Sequence, residues 1–280
     1  MTTSLYNLKV DILNHTSNLD TNNNEVIPTL SYKAIKKSIL LLQSWVNHLP
    51  PLYGVSEADI ADIMPLLLFI EATIYQIDEN NEIHEDITKH SSVLRNVLNQ
   101  LKLLDDAVET LIQQGLTYYD LETQFCLGKI PTPDDIDSVC LGKSFDYGLL
   151  SRLFFKLTGQ PDHQQEILQV SRLAEQIIEI RSDLKSYNED IERNVMNIYR
   201  MFVRLYSSEA PQKLQIYLEN LHSQLQGKLK LLEQNRPDMA EKFISIWNNI
   251  FPEDRPLPEI PQPILEEGNL VGRVTTAYTN

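Results

Sequence analysis

Glycine is scarce in this chain, nine in 280 residues, and β-branched runs of alternating polarity bounded by turns do not occur. A sheet-based fold is therefore excluded, and no glycine-rich phosphate loop exists. Cysteine is scarcer still. Cys126 and Cys140 are the only two and form no CxxC pair, so a reduced, cytoplasmic protein is expected. Positive charge is also short: 24 Lys and Arg stand against 39 Asp and Glu, a formal net charge of −15. That balance argues against nucleic acid or an anionic membrane surface as a partner, because both attract cationic side chains. The longest uninterrupted apolar run, Met64 to Ile70, is far shorter than the roughly 20 residues that span a bilayer. An integral membrane protein is not expected, and nothing like a cationic and apolar leader opens the chain.

What the chain has is helical periodicity. From Leu173 to Tyr206, apolar residues Leu173, Ile177, Ile180, Leu184, Tyr187, Ile191, Val195, Ile198 and Phe202 recur at steps of four and three, predicting one long helix with a single buried stripe. Similar spacing predicts helices from Ser31 to the Pro50-Pro51 pair, from a Ser56 cap through Pro65 to about Asp78, and from Ser91 to Gln114. Further helices are expected over Phe145–Leu157, closed by Gly159, from Pro211 through Leu232, and over Phe243–Ile250. Residues 3–14 fit a short amphipathic helix, Asn18–Glu25 a solvated loop, and Thr117–Asp135 an irregular loop. The fold class is all-α, a multi-helix bundle forming one domain over residues 1–251, with residues 1–30 partly loop. Five prolines from Pro252 to Pro263 make residues 252–280 an extended C-terminal tail.

The chemical signal lies in two acidic stretches. DENNE at 78–82 sets Asp78 and Glu82 one turn apart, with Glu79 beside them; in the long helix Glu179 and Asp183 repeat the spacing, followed by Ser186 and Asp190. Paired carboxylates on neighbouring helices suit Mg²⁺, which binds through one or two of them while keeping water and phosphate oxygens. Acids one turn apart are also ordinary on solvated helix faces, the more common reading for either stretch alone. Asp105, Asp106 and Glu109 form a third acidic group that competes with DENNE. Glu71, set inside an apolar run, calls for a partner. Glu219 and His222 form a single ExxH, where a di-iron bundle needs two.

These segments resemble class I isoprenoid synthases, the trans-isoprenyl diphosphate synthases and terpene synthases. AEQIIEIRSDLKSYNED looks like their second metal-binding helix: Gln176, Glu179 and Asp183 match an FQxxDD(x)xD-type motif with Ile180 at the second aspartate, and Ser182, Asp183, Ser186 and Asp190 match (N/D)DxxSxxxE. MPLLLFIEATIYQIDENNE resembles the helix ending in DDxxD, which Asp78, Glu79 and Glu82 would represent. LGKSFDYGLLSRLF resembles the lysine-bearing helix that contacts diphosphate, with Lys143 and Ser144 in those places. The resemblance implies the isoprenoid synthase fold and a prenyl diphosphate substrate, ionised for transfer or cyclisation. It implies Mg²⁺ held by Asp78, Glu79, Glu82, Glu179, Asp183, Ser186 and Asp190, with Asp78 and Asp183 central to catalysis. Lys143, Ser144, Gln176, Glu71 and Tyr75 would then contact substrate. A homodimer fits the resemblance. The alternative is a catalytically inactive bundle of the same fold, binding a protein partner through its acidic surface and Pro-rich tail.

Overall fold

A computed structural model of the chain describes residues 29–83, 85–160, 164–250 and 258–265. The fold is all-α: these residues contain helices and connecting turns and no strand. The expectations for residues 3–14 and Asn18–Glu25, and for the last residues of the tail, lie outside the described residues.

Helix α1, Tyr32–Val46, opens on Ser31, whose hydroxyl accepts the Ala34 N–H at 2.9 Å. It ends before the proline pair. Pro50 and Pro51 instead sit inside a one-turn helix α2, Leu49–Leu52, where their missing N–H groups were never going to be bonded. Helix α3, Glu57–Glu82, starts from a Ser56 cap and runs straight through Pro65. By length and composition Ala58–Glu82 is the one described stretch able to cross a membrane. Here α1 and α4 (Thr88–Gln100) pack on it, and Ile63, Leu67, Ile70, Ile74 and Ile77 are buried.

The single helix expected over Ser91–Gln114 is two. Lys102 takes φ +56°, the N–H groups of Leu103 and Leu104 turn back to Leu98 O at 2.8 and 3.1 Å, and Asp105 accepts the Val108 N–H at 2.9 Å. Those bonds end α4 and start α5, Asp106–Cys126. Helix α5 also occupies residues 117–126, where an irregular loop is expected from the sequence. Gly115 is tolerated within it because the Phe145 ring lies where a Cβ would stand, 2.5 Å away. Helix α6, Pro133–Gly142, opens on a reciprocal capping box between Thr132 and Asp135. Helix α7, Phe145–Thr158, stops at Gly159 with φ +66°.

The long central helix is likewise interrupted. Helix α8 covers Gln164–Glu192 and α9 covers Ile198–Tyr206, with Asn194 at φ +53° between them. Asn197 caps α9, its Oδ1 accepting the N–H groups of Tyr199 and Arg200 at 2.9 and 3.2 Å. A short 3₁₀ turn leads into α10, Ala210–Asn235, and α11, Pro237–Ile250, follows.

The chain divides into two compact units, each assembled from separated segments: Met1–Gln113 with Asp146–Gln164, and Gln114–Phe145 with Gln165–Asn280. The first is centred on α3, with Trp45, Tyr53, Phe154 and Phe155 edge to face in its core. In the second, α9 packs on α6 and α10, and Leu214, Leu218, Leu221, Leu225, Leu229 and Leu232 form the buried stripe of α10.

Candidate functional site

The densest polar cluster of the second unit surrounds Asp183. Lys143, at the C-terminal end of α6, donates to Asp183 Oδ1 and lies 3.6 Å from Glu179. Asp183 Oδ2 accepts the Ile198 N–H at 2.7 Å, so this carboxylate also supplies a partner to the first turn of α9. Two residues of the proposed second motif, Glu179 and Asp183, thus meet the proposed lysine, which lies forty residues before Asp183 in the chain.

Gly142 fixes where Lys143 begins. A Cβ there would come within 2.8 Å of Gln114 O and of Tyr118 Cβ, and the carbonyl, being backbone, cannot yield. Only glycine lets α6 end this close to α5.

Downstream, Asp190 Oδ2 accepts from Ser186 Oγ at 2.5 Å and from Asn197 Nδ2 at 2.8 Å, and Asn197 Nδ2 also reaches Asp183 O at 2.7 Å. Arg200, buried, donates to Asp190 O at 3.0 Å and to Val195 O. The acids, Asn197 and Arg200 together form the turn between α8 and α9. Burial would lower the Lys143 pKa, but Asp183 and Glu179 outweigh it and hold the ammonium above its ordinary value. Burial pushes Glu179 up.

Ser144 and Gln176 are both buried nearby. Ser144 Oγ lies 3.5 Å from Glu175 Oε2, at the limit of a hydrogen bond, and Gln176 Nε2 donates to Arg172 O at 3.1 Å. Arg172 donates to Ser144 O, Leu141 O and Gln114 Oε1 at 2.6–3.0 Å, a cation on the end carbonyls of α6. Sequence reasoning passed over Arg172, Asn197 and Arg200. The signals were there: an arginine one turn before Gln176, and an asparagine just ahead of an apolar run.

In the first unit the DENNE acids close α3, and each meets a cation or hydroxyl of α1 or its cap. Asp78 pairs with Lys37 at 3.4 Å, Glu82 with Lys33 at 3.7 Å, and Glu79 accepts from Ser31 Oγ at 2.6 Å with Lys33 3.5 Å away. Burial pushes the Asp78 pKa up against the pull of Lys37. Glu71 is fully buried, with the Asp146 carboxyl beside it. Burial first, then the nearby Asp146 carboxyl, push the Glu71 pKa well above the ordinary carboxylate value. Tyr75 is held up by burial and then by Glu71. The rival acidic group serves the start of α5: Asp105 pairs with Lys156 at 2.5 Å, and Glu109 takes a bidentate bond from Arg95.

Fit to Mg²⁺ differs between the two stretches. Glu79 Oε1 is buried without a hydrogen bond, and carboxylates one turn apart on α3 are the right oxygen donors for a hard cation. On α8 the donor type is right as well, but Lys143 stands between Glu179 and Asp183, so cation binding there requires the ammonium to move. Among the described residues no three His, Cys, Asp or Glu side chains gather closely enough to hold a metal as they stand.

Other candidates resolve as structure. Burial raises the Cys126 thiol to about 11 and the Cys140 thiol to about 12, away from nucleophilic reactivity. His222 Nδ1 faces Leu218 O at 2.8 Å, and Glu219 accepts from Gln215. Compared with protein-family models, curated proteins and solved structures, the chain matches none.

Proposed function

We propose that the protein is a Mg²⁺-dependent enzyme of the class I isoprenoid synthase type, ionising a prenyl diphosphate for transfer or cyclisation. The observation that supports this reading is the meeting of Lys143 with Glu179 and Asp183. Two segments whose resemblances are independent come together with the cation and the acids the chemistry needs.

In this reading Lys143 exchanges its carboxylate partners for the diphosphate oxygens, and Ser144 adds a hydroxyl donor beside it. Glu179 and Asp183 would hold Mg²⁺ on α8 once freed of the ammonium, and Asp78, Glu79 and Glu82 would hold it on α3. Bound Mg²⁺ would supply Lewis acidity that neutralises charge on the departing diphosphate. Half-buried Tyr75 and buried Glu71 lie one turn apart on α3 and are the candidate contacts to the prenyl chain.

The non-catalytic scaffold is the second reading, favoured by a specific observation. Asp183 and Asp190 use their oxygens to build the α8–α9 turn, a structural role that needs no ligand.

Diphosphate release from geranyl, farnesyl and geranylgeranyl diphosphates, with and without Mg²⁺, separates the two. Glu179→Gln is the informative variant, because Glu179 makes no bond to α9. The enzyme reading expects metal-dependent release, reduced by about 10²-fold or more in the variant. Absence of both release and metal-dependent binding with all three substrates leaves the scaffold.

A further inference from the structure

The tail is not a free arm throughout. Pro258–Leu265, without helix or strand, is attached to the second unit by two hydrogen bonds with tyrosine hydroxyls, one donated and one accepted by the hydroxyl. Tyr199 O–H donates to Pro261 O at 2.5 Å, and the Ile264 N–H donates to Tyr187 Oη at 2.9 Å. Both tyrosines are buried, and their rings lie 4.7 Å apart.

The segment reads Pro-Glu-Ile-Pro-Gln-Pro-Ile-Leu; Pro258, Ile260, Pro261 and Pro263 are partly covered, whereas Glu259, Gln262, Ile264 and Leu265 face solvent. Its three prolines favour polyproline II, which has no internal hydrogen bonds and leaves its carbonyls available to outside donors. Aromatic hydroxyls reading such a backbone beside apolar rings is a known way of binding proline-rich strands. Pro258, Glu259 and Ile260 also line a groove of about 750 Å³ with apolar and polar residues of α10, among them Pro211, Ile216, Gln215 and His222.

We infer that Tyr187 and Tyr199 form a recognition site for a proline-rich peptide, occupied in cis by Pro258–Leu265 and open to a like segment of a partner protein. The cis segment follows α11 after seven residues, so its effective concentration is on the order of millimolar and an outside peptide must compete with it. The inference does not depend on prenyl chemistry.

The test uses the full chain and a fluorescent PEIPQPIL peptide, read by anisotropy. Ile264→Pro deletes the one amide hydrogen that reaches Tyr187 and keeps the extended habit of the segment, so it weakens the internal ligand and leaves the site intact. The peptide should bind this variant several-fold more tightly than the native chain, and adding Tyr199→Phe should reverse the gain by a similar factor. Hydrogen exchange should show the Ile264 amide protected in the native chain. Equal binding to native chain and Ile264→Pro, or binding indifferent to Tyr199→Phe, would overturn the proposal. A native dimer that Tyr199→Phe abolishes would overturn the in-cis assignment by giving the segment to a second copy.

Discussion

The two acidic stretches share a spelling and differ in use. At the end of α3 the acids meet lysines of α1 across 3.4–3.7 Å, and Lys33 is 59% exposed. On α8 the acids are enclosed: Asp183 is 4% exposed and is bound by an ammonium on one oxygen and a backbone N–H on the other. Screening and side-chain entropy leave exposed pairs little net stabilisation, whereas a buried pair is costly to break from one side. The same i, i+4 spacing therefore makes a replaceable surface network in one place and a structural joint in the other.

The sharpest break in this comparison is Asp183→Asn. It strands the Lys143 ammonium in a buried site and weakens the start of α9, so urea unfolding should show a loss of about 3–5 kcal/mol. A loss under 1 kcal/mol would put the α8 cluster in the same class as the α3 one. A smaller effect is expected from Glu71→Gln, where the raised carboxyl pKa sets the sign. The folded state holds the Glu71 proton more tightly than the unfolded state, so its contribution is complete below the unfolded carboxylate range. It declines as pH rises toward the raised folded value. Glutamine keeps a donor beside Asp146 at every pH. Melting temperature against pH should therefore fall less steeply above the ordinary carboxylate range in the variant, with a gain of about 1–2 kcal/mol at the alkaline end.

Most helices were legible from apolar spacing, and so were the Ser56 cap and the Gly159 stop, but residues 117–126 and α6 were not. The interruptions were not. Ile191, Val195, Ile198 and Phe202 hold their period across the α8–α9 break, and Ile191, Ile198 and Phe202 are buried on either side of it. Only Asn194 and Asn197 mark the change, through a left-handed backbone and a side-chain cap. Lys102 does the same between α4 and α5, where a lysine with positive φ leaves no compositional trace. Within the site, spacing found Glu179, Asp183, Ser186 and Asp190. Their partners could not be found that way, since Lys143, Asn197 and Ile198 reach them through tertiary contacts. The docked tail was hidden for a related reason: prolines announce an extended chain but say nothing of the tyrosines that hold it.

The smallest effect belongs to Lys33→Met. Lys33 lies within 3.7 Å of both Glu79 and Glu82, yet its own exposure leaves water in competition for each contact. The substitution should change unfolding stability by less than about 1 kcal/mol, and the change should shrink further in high salt. Glu79 is the reason it should not vanish, because its Oε1 is buried and Lys33 is its nearest cation. Lys33→Met, Glu79→Gln and the two combined, measured against the native chain, isolate that contribution as a coupling energy. A coupling of 2 kcal/mol or more would mean that the α3 acids, like those of α8, are held as a structural joint. A few tenths would leave them as exchangeable partners, the condition that cation or diphosphate binding at this end of α3 requires.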